Sequence, residues 1–416
     1  MNPGSIIKAL PSKFSGTFSS LQYPNYRLWF FGQMISLFGT WMQSTAQGYL
    51  VYELTGSSAY LGYVGFASGL PSLLLMNLFG GVIADRISRR TLMVITQTAM
   101  MFLAFILAGL VFTGLIQPWH IVVLAFLLGI ANAFDAPARL AFVVEIVDRK
   151  DLTNAIALNA TMFNMGTVFG PAIAGLTYAA FGPAWCFMLN GLSFLAVIAA
   201  LLLMRLKSLP APVRKASMVS ELKEGFKYTF NEKIVRVIVM NMAVIGMFGI
   251  SLLTLLPAWS VEILGGDVRT NGALMSARGV GALTGAIMLA ALSHRPIHGK
   301  LWTIGGLLLP VSLLLFSQST WLPLSLAIIA VTGWTFITQA NTSNAMIQNR
   351  VPDALRGRVM GIYSLVFFGS MPIGSFLAGQ SATIFGLPPT LIAGALACLA
   401  MALFIYTRIP VIRKIG

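Results

Sequence analysis

The chain has 416 residues, 57% of them apolar and only 9% charged, with a mean hydropathy of +0.83. A soluble domain carries about 25% charged residues, so this composition excludes an ordinary soluble enzyme, a disordered chain and a collagen-like chain, and points to a polytopic helical membrane protein. The net charge of +15 arises from 27 Lys and Arg against 12 Asp and Glu. These basic residues sit in short runs between long apolar stretches, which is the pattern of cytoplasmic membrane loops and not of a nucleic-acid-binding face.

From the amino end, residues 1–25 hold Lys8 and Lys13 but no continuous apolar run before Tyr26, so no cleavable signal peptide is expected and the segment reads as cytoplasmic. Crossing a hydrocarbon core of about 30 Å takes about 20 apolar residues. Twelve stretches qualify: 27–52, 58–84, 91–115, 119–141, 154–180, 184–204, 235–262, 271–292, 301–317, 321–347, 358–384 and 388–408. The first six form an N-terminal bundle over 26–204 and the last six a C-terminal bundle over 235–408, followed by a tail, 409–416. The polar linker between them, 205–234, begins Pro-bearing and irregular. It continues as an amphipathic surface helix with Leu222, Phe226 and Phe230 on one face. Sorting the connections alternately puts 25 of the 27 Lys and Arg on one side and Arg269 alone on the other, with Arg278 inside a span. That asymmetry predicts an even number of spans, with both termini in the cytoplasm.

The two halves resemble each other. At an offset of 204, Gly129, Gly170, Ala174, Gly175 and Gly182 match Gly333, Gly374, Ala378, Gly379 and Gly386. At an offset of 210, Gly56, Gly62 and Gly69 match Gly266, Gly272 and Gly279. Two parallel six-helix repeats predict a transporter with its substrate path at their interface.

Two motifs stand out. Residues 80–90 read GGVIADRISRR, where Gly81 permits close helix approach, Asp85 is an anion at a helix-end turn, and Arg86, Arg89 and Arg90 are loop cations. The fifth span carries Gly166, Gly170, Pro171 and Gly175, a smooth face for tight packing with a proline that bends the helix. On these motifs the chain resembles the major facilitator superfamily: residues 81–90 are similar to its loop signature between the second and third helices, and 166–175 to the fifth-helix signature of its antiporters. The stretches AFDAPARLAFVVEIV (133–147), DLTNAIAL (151–158) and FMLNGLSF (187–194) resemble the bacterial branch of enterobactin-type siderophore exporters and macrolide efflux proteins. Ser88 stands where the loop signature has glycine, and the fourth span, reading AFLLGIANAF, carries no buried arginine.

The resemblance implies an all-α polytopic fold of twelve transmembrane helices in two bundles, in the bacterial cytoplasmic membrane. It implies that Asp85 faces the positive end of the eleventh helix near Arg358, that Arg89 or Arg90 pairs with Asp135, and that these contacts latch the halves in the outward-facing state. Asp135 and Arg139, four apart on one helical face, can also pair locally. The implied function is secondary active export of an amphipathic small molecule, siderophore or drug-like, by alternating access coupled to proton antiport. Lysophospholipid or lipid translocation, or siderophore uptake by the same fold, is the alternative. The expected partners are the substrate, protons and membrane lipids, with no nucleic acid, and a monomer suffices.

Polar residues inside spans are costly and mark function. The first span carries Gln33, Ser36, Thr40, Gln43 and Gln47 on one stripe, and Asn164, Asn241, Thr335 and Gln339 add polar groups on the fifth, seventh and tenth. They are read as cavity residues. Arg278 reads as a cavity cation for an anionic substrate, as the partner of an acid, or as an arginine snorkelling to the outer interface. Glu53, Asp135 and Glu262 are the candidates for proton coupling. Cys186 and Cys398 lie in apolar runs, the three histidines are scattered, and no nucleotide-binding loop or HExxH occurs, so neither a cofactor nor enzymatic chemistry is expected.

Overall fold

The computed structural model describes residue 16 and residues 18–75, 87–206, 218–292 and 295–415. Among them the chain is helical throughout: α1 (Pro24–Thr55), α2 (Ser58–Leu75), α3 (Arg89–Phe112), α4 (Pro118–Ile146), α5 (Leu152–Phe181), α6 (Pro183–Leu203), α7 (Met218–Asn231), α8 (Lys233–Phe248), α9 (Leu256–Glu262), α10 (Val268–Ala291), α11 (His298–Phe316), α12 (Leu322–Arg350), α13 (Asp353–Phe385) and α14 (Leu387–Arg408). Ten segments are long and apolar enough to cross a membrane, with α8 and α9 counted as one. The remaining two long helices, α1 and α5, have the length but not the hydropathy. They are the helices whose polar residues include Gln33, Gln43 and Gln47, and Asn154, Asn159 and Asn164. The twelve expected spans are consistent with this arrangement.

Local chemistry sets the helix ends. Prolines open α1, α4, α6, α12 and α14, where the missing N–H would in any case lack an intrahelical acceptor. Ser88, the departure from the loop signature, caps α3: its hydroxyl accepts from the Thr91 N–H at 3.1 Å. Asp267 caps α10 through the N–H groups of Arg269 and Thr270. The seventh span, expected to be continuous over 235–262, is instead broken. It leaves α8 at Gly249, runs as a 3-10 helix over Ile250–Leu255 and resumes in α9 with Pro257 near its start. A proline there removes a backbone donor, and glycine supplies the freedom for the bend.

Packing follows the two repeats. In the first half α1 packs on α5 and α6, α3 on α4 and α6, and α2 on α4. In the second half α10 and α11 pack on α12, α8 on α13 and α11 on α14, while the linker helix α7 lies along α13. The halves meet chiefly through α2 with α13 and α5 with α10. Helix alternation gives the bundle a basic face, carrying the starts of α1, α3 and α5, and a far face, carrying the loops after α1 and α9. The backbone repeats as well: Gly182 and Gly386, related by the offset of 204, both have φ 87° and ψ 168°, a conformation open to glycine.

Buried apolar side chains form two clusters. One is confined to the basic-face part of the first half, with Tyr26, Trp29, Met93, Phe142 and Leu201. The other joins the far-face part of the first half (Leu50, Leu107, Ile121 and Phe187) to the whole second half. The continuous core therefore crosses between the halves toward the far face.

Candidate functional site

A cavity of about 510 Å³ lies between the halves. The first half contributes Thr40, Trp41, Gln43, Gln47, Asn132 and Asn190, and the second contributes Ser251, Thr254, Asn271, Arg278, Met371 and Ser375. The lining is rich in neutral amides and hydroxyls on an apolar surround. It contains one cation, Arg278, and no carboxylate among the described residues. The 3-10 segment after Gly249 brings Ser251 and Thr254 to the wall, where the Thr254 and Ser375 hydroxyls are 3.0 Å apart.

Of the predicted cavity residues, Thr40, Gln43, Gln47 and Arg278 line this space, whereas Gln33, Asn164, Asn241, Thr335 and Gln339 do not. Gln33, Asn241, Thr335 and Gln339 are each at most 3% exposed and lie inside the bundles. The Gln339 amide sits where a Cβ on Gly306 would come within 2.5 Å of its Nε2, and Asn164 donates to its own helix at Ala160 O. Thr335 likewise bonds within its own helix, to Thr332 O, and the Gln339 amide has no hydrogen-bond partner among the described residues. Asn132, Asn190 and Asn271 are the lining amides that the stripe on the first span did not reveal. Asn271 was legible as the residue two turns before Arg278 on one helical face.

Toward the far face the halves close through two crossings related by the internal repeat. At the α2–α13 crossing a Cβ on Gly379 would lie 2.7 Å from the Gly62 Cα. At the α5–α10 crossing a Cβ on Gly272 would lie 2.6 Å from Pro171 O and 3.2 Å from the Gly175 Cα. Gly62 and Gly272, and Gly175 and Gly379, are the pairs the two offsets match. The fifth-helix motif thus divides its work. Gly166 and Gly170 lie against Trp41 of α1, while Pro171 and Gly175 meet α10. Small residues let these backbones touch, which is how helices associate when lipid removes the hydrophobic drive.

Two tyrosine–carboxylate pairs sit at the same face. Tyr52 Oη donates to Glu262 Oε1 at 2.5 Å, bridging α1 and α9 across the halves. Tyr178 Oη donates to Glu53, within the first half.

On the basic face Gly81, Asp85 and Arg86 lie outside the described residues. The predicted pairing of Arg89 or Arg90 with Asp135 is corrected: Arg89 Nη1 bonds Glu145 Oε1 at 2.7 Å, and Arg90 donates to Leu202 O at 2.8 Å. Glu145, ten residues nearer the basic end of α4, is within reach of the loop arginines. Asp135 is instead 2% exposed between α3 and α4 and accepts from Thr96 Oγ1 at 2.9 Å and Gln97 Nε2 at 3.0 Å. The local pair with Arg139 does not form either. Arg358 bonds Glu224 of the linker helix, and Arg350 bonds Glu232 at 2.8 Å. Burial alone would raise the Glu232 carboxyl. The Val235 N–H and the Arg350 guanidinium outweigh it and hold the group below its usual range. At the start of α1 Tyr23 donates to Asp151 and Asp148, and its bond holds the Asp151 carboxyl low.

The sequence profile of transmembrane secretion effectors matches residues 15–415. The chain belongs to that family. It is therefore a major facilitator transporter and not an enzyme. Curated relatives include the staphyloferrin A transporter of Staphylococcus aureus (strain NCTC 8325 / PS 47), 25% identical over 91% of this chain and 96% of the relative. The multidrug efflux pump Tap of Mycolicibacterium fortuitum is 26% identical over 85% and 88%, and the enterobactin exporter EntS of Escherichia coli O1:K1 / APEC is 26% identical over 86% and 85%. Among solved structures the nucleoside transporter NupG superposes with a TM-score of 0.70 at 13% identity, covering 92% of this chain and 97% of that one. A D-xylose-proton symporter gives 0.69 at 13% identity, covering 92% and 98%. At that identity the likeness is one of fold.

Proposed function

We propose that this transporter exports an amphipathic small molecule, siderophore or drug-like, across the bacterial cytoplasmic membrane by rocking its halves around the central cavity, with proton antiport as the energy source. The single observation that carries the reading is a cavity of about 510 Å³ built from both halves, lined by neutral polar groups on an apolar wall. Such a lining suits a molecule with both characters better than a small hydrated ion. The names of the relatives, siderophore transporters and a multidrug pump, support the substrate class.

In this reading the basic face is cytoplasmic, and closure at the far face makes the conformation inward-facing. Thr40, Gln43, Gln47 and Arg278 contact substrate. Gly81, Asp85, Arg86, Arg89, Arg90 and Arg358 belong to the latch that forms at the basic face in the opposite state. Asp135 is the strongest proton carrier of the three candidates. It is 2% exposed inside the first half, where it accepts from Thr96 and Gln97, and an acidic residue inside a span marks function. Glu53 and Glu262 lie on the far-face side, where protons enter in exchange for exported substrate.

Proton movement in energised inverted vesicles carrying the purified chain tests the reading. Collapse of the pH gradient on adding a siderophore or macrolide from a panel supports proton-coupled export. Absence of any response from folded protein refutes it for that panel, and transfer of lysolipid without a pH gradient then identifies lipid translocation.

A further inference from the structure

Arg278 stands ten residues into α10, about 15 Å along the axis from its far-face end. The whole helix is 24 residues long. The residue is therefore at mid-depth, too far from either end for its side chain to snorkel to water outside the protein. Its backbone carbonyl faces Gly333 of α12, and the residue lines the central cavity. The guanidinium has no hydrogen bond and no ion pair with any described residue, and no carboxylate shares the lining. Among the described residues Arg278 thus has no acid partner, and its depth does not suit a snorkelling arginine. An arginine carries five donors in a planar fork and stays charged. Held unpaired in a membrane-embedded cavity, it lacks the counter-anion that such a charge demands.

The opposite wall is organised to match. Ser193 Oγ lies 3.1 Å from Asn190 Oδ1 and donates to it as well as to the Asn190 carbonyl. Asn190 Nδ2 donates to Gln43 Oε1 at 2.7 Å. This chain uses the Gln43 oxygen and leaves its Nε2 without an internal acceptor, and Nε2 is not among the sealed polar atoms. Gln43 thus offers the cavity a donor. The first half presents an amide N–H and the second a guanidinium, both donors, across one space.

We propose that the transported molecule carries a carboxylate or equivalent oxyanion on its amphipathic body, bound by Arg278 from the second half and by the Gln43 amide from the first, with Asn190 as the positioning residue that turns Gln43. The inference rests on the central cavity being the substrate path, and adds the charge of the cargo. An anion held by both halves also supplies the neutralisation that Arg278 needs when the cavity is sealed.

The test uses two fluorescent amphiphiles that differ only in charge, dansylglycine and its primary amide, dansylglycinamide, with the full chain in lipid nanodiscs. The wild type should bind the carboxylate about tenfold or more tighter than the amide, the range expected for a charge-assisted pair. Arg278→Gln should bring the two affinities within about twofold by weakening the carboxylate alone, while Arg278→Lys keeps most of the preference. Asn190→Ala should lower the preference without altering amide binding. Because Arg278 has no partner among the described residues, Arg278→Gln should melt no lower than the wild type, and added dansylglycine should raise the melting temperature of the wild type but not of the variant. Equal binding of both probes, or a preference that survives Arg278→Gln, overturns the anionic assignment and leaves the export reading standing. Binding of neither probe by folded protein overturns both.

Discussion

Replacing Tyr52 by Phe removes one hydroxyl and with it the only donor that bridges α1 to Glu262 among the described residues. The bond measures 2.5 Å and runs from the first half to the second at the closed face. A hydrogen bond to a charged acceptor is worth about 1.5–3 kcal/mol. Tyr52 is 7% exposed, but Glu262 sits at the solvent edge, so the lower end applies. About 1.4 kcal/mol is a tenfold change in an equilibrium, and it acts only on the state closed at the far face. Tyr52→Phe should therefore raise the population open to that face about tenfold. The assay is alkylation of a cysteine placed at Ser44, in the cavity wall, by a membrane-impermeant maleimide added from the far face. The native Cys186 and Cys398 are buried and contribute little background. Tyr178→Phe is the matched control, because its phenol bonds Glu53 within the same half and should leave the rate unchanged. An unchanged rate in Tyr52→Phe, or an equal rise in Tyr178→Phe, refutes the reasoning.

Three further outcomes follow from the same geometry. Gly272→Val places its first side-chain carbon 2.6 Å from Pro171 O, so the α5–α10 crossing must part; transport should fall at least tenfold with the protein still monodisperse, as size-exclusion chromatography and uptake together would show. Asp135→Asn keeps an acceptor for Thr96 and Gln97 and should cost less than about 1 kcal/mol in thermal unfolding, yet substrate addition should no longer move protons; retained proton movement removes Asp135 from the coupling path. The lowered Glu232 carboxyl stabilises the fold above the ordinary carboxylate pKa, and that contribution is lost as pH falls through the depressed value. Arg350→Gln should accordingly lower the melting temperature at neutral pH by a small amount and not at strongly acid pH, which a pH series of thermal melts reads directly.

Much of the architecture was written in residue spacing. Apolar run lengths placed the helices within a few residues, and the offsets of 204 and 210 related the glycines that the structure brings to the two crossings, Gly62 with Gly379 and Gly272 with Gly175. Those positions were legible because close backbone approach tolerates so few residue types. The polar residues were harder to read. Gln339 and Gln43 are both glutamines on polar stripes, yet one is enclosed against Gly306 and the other lines the cavity. Helical spacing fixes the face of a residue, not whether that face meets a neighbouring helix or a void. The partner of Arg89 was misassigned for a related reason. Asp135 and Glu145 lie ten residues apart on α4, about 15 Å along the axis, and only the depth at which α3 begins selects Glu145. The break at Gly249 was hidden because glycine and proline, here Gly249 and Pro257, also occur within unbroken membrane helices.

Distances between spin labels in nanodiscs test the central claim, that the halves rock about the cavity. One pair joins Ser57 to Val261 across the far face, and a second joins Lys150 to Ala354 across the basic face. Under conditions that drive transport, the first distance should lengthen as the second shortens, and the two populations should exchange in proportion. Transport that proceeds while both distances stay fixed, or while both faces widen together as a channel would require, contradicts alternating access in this protein.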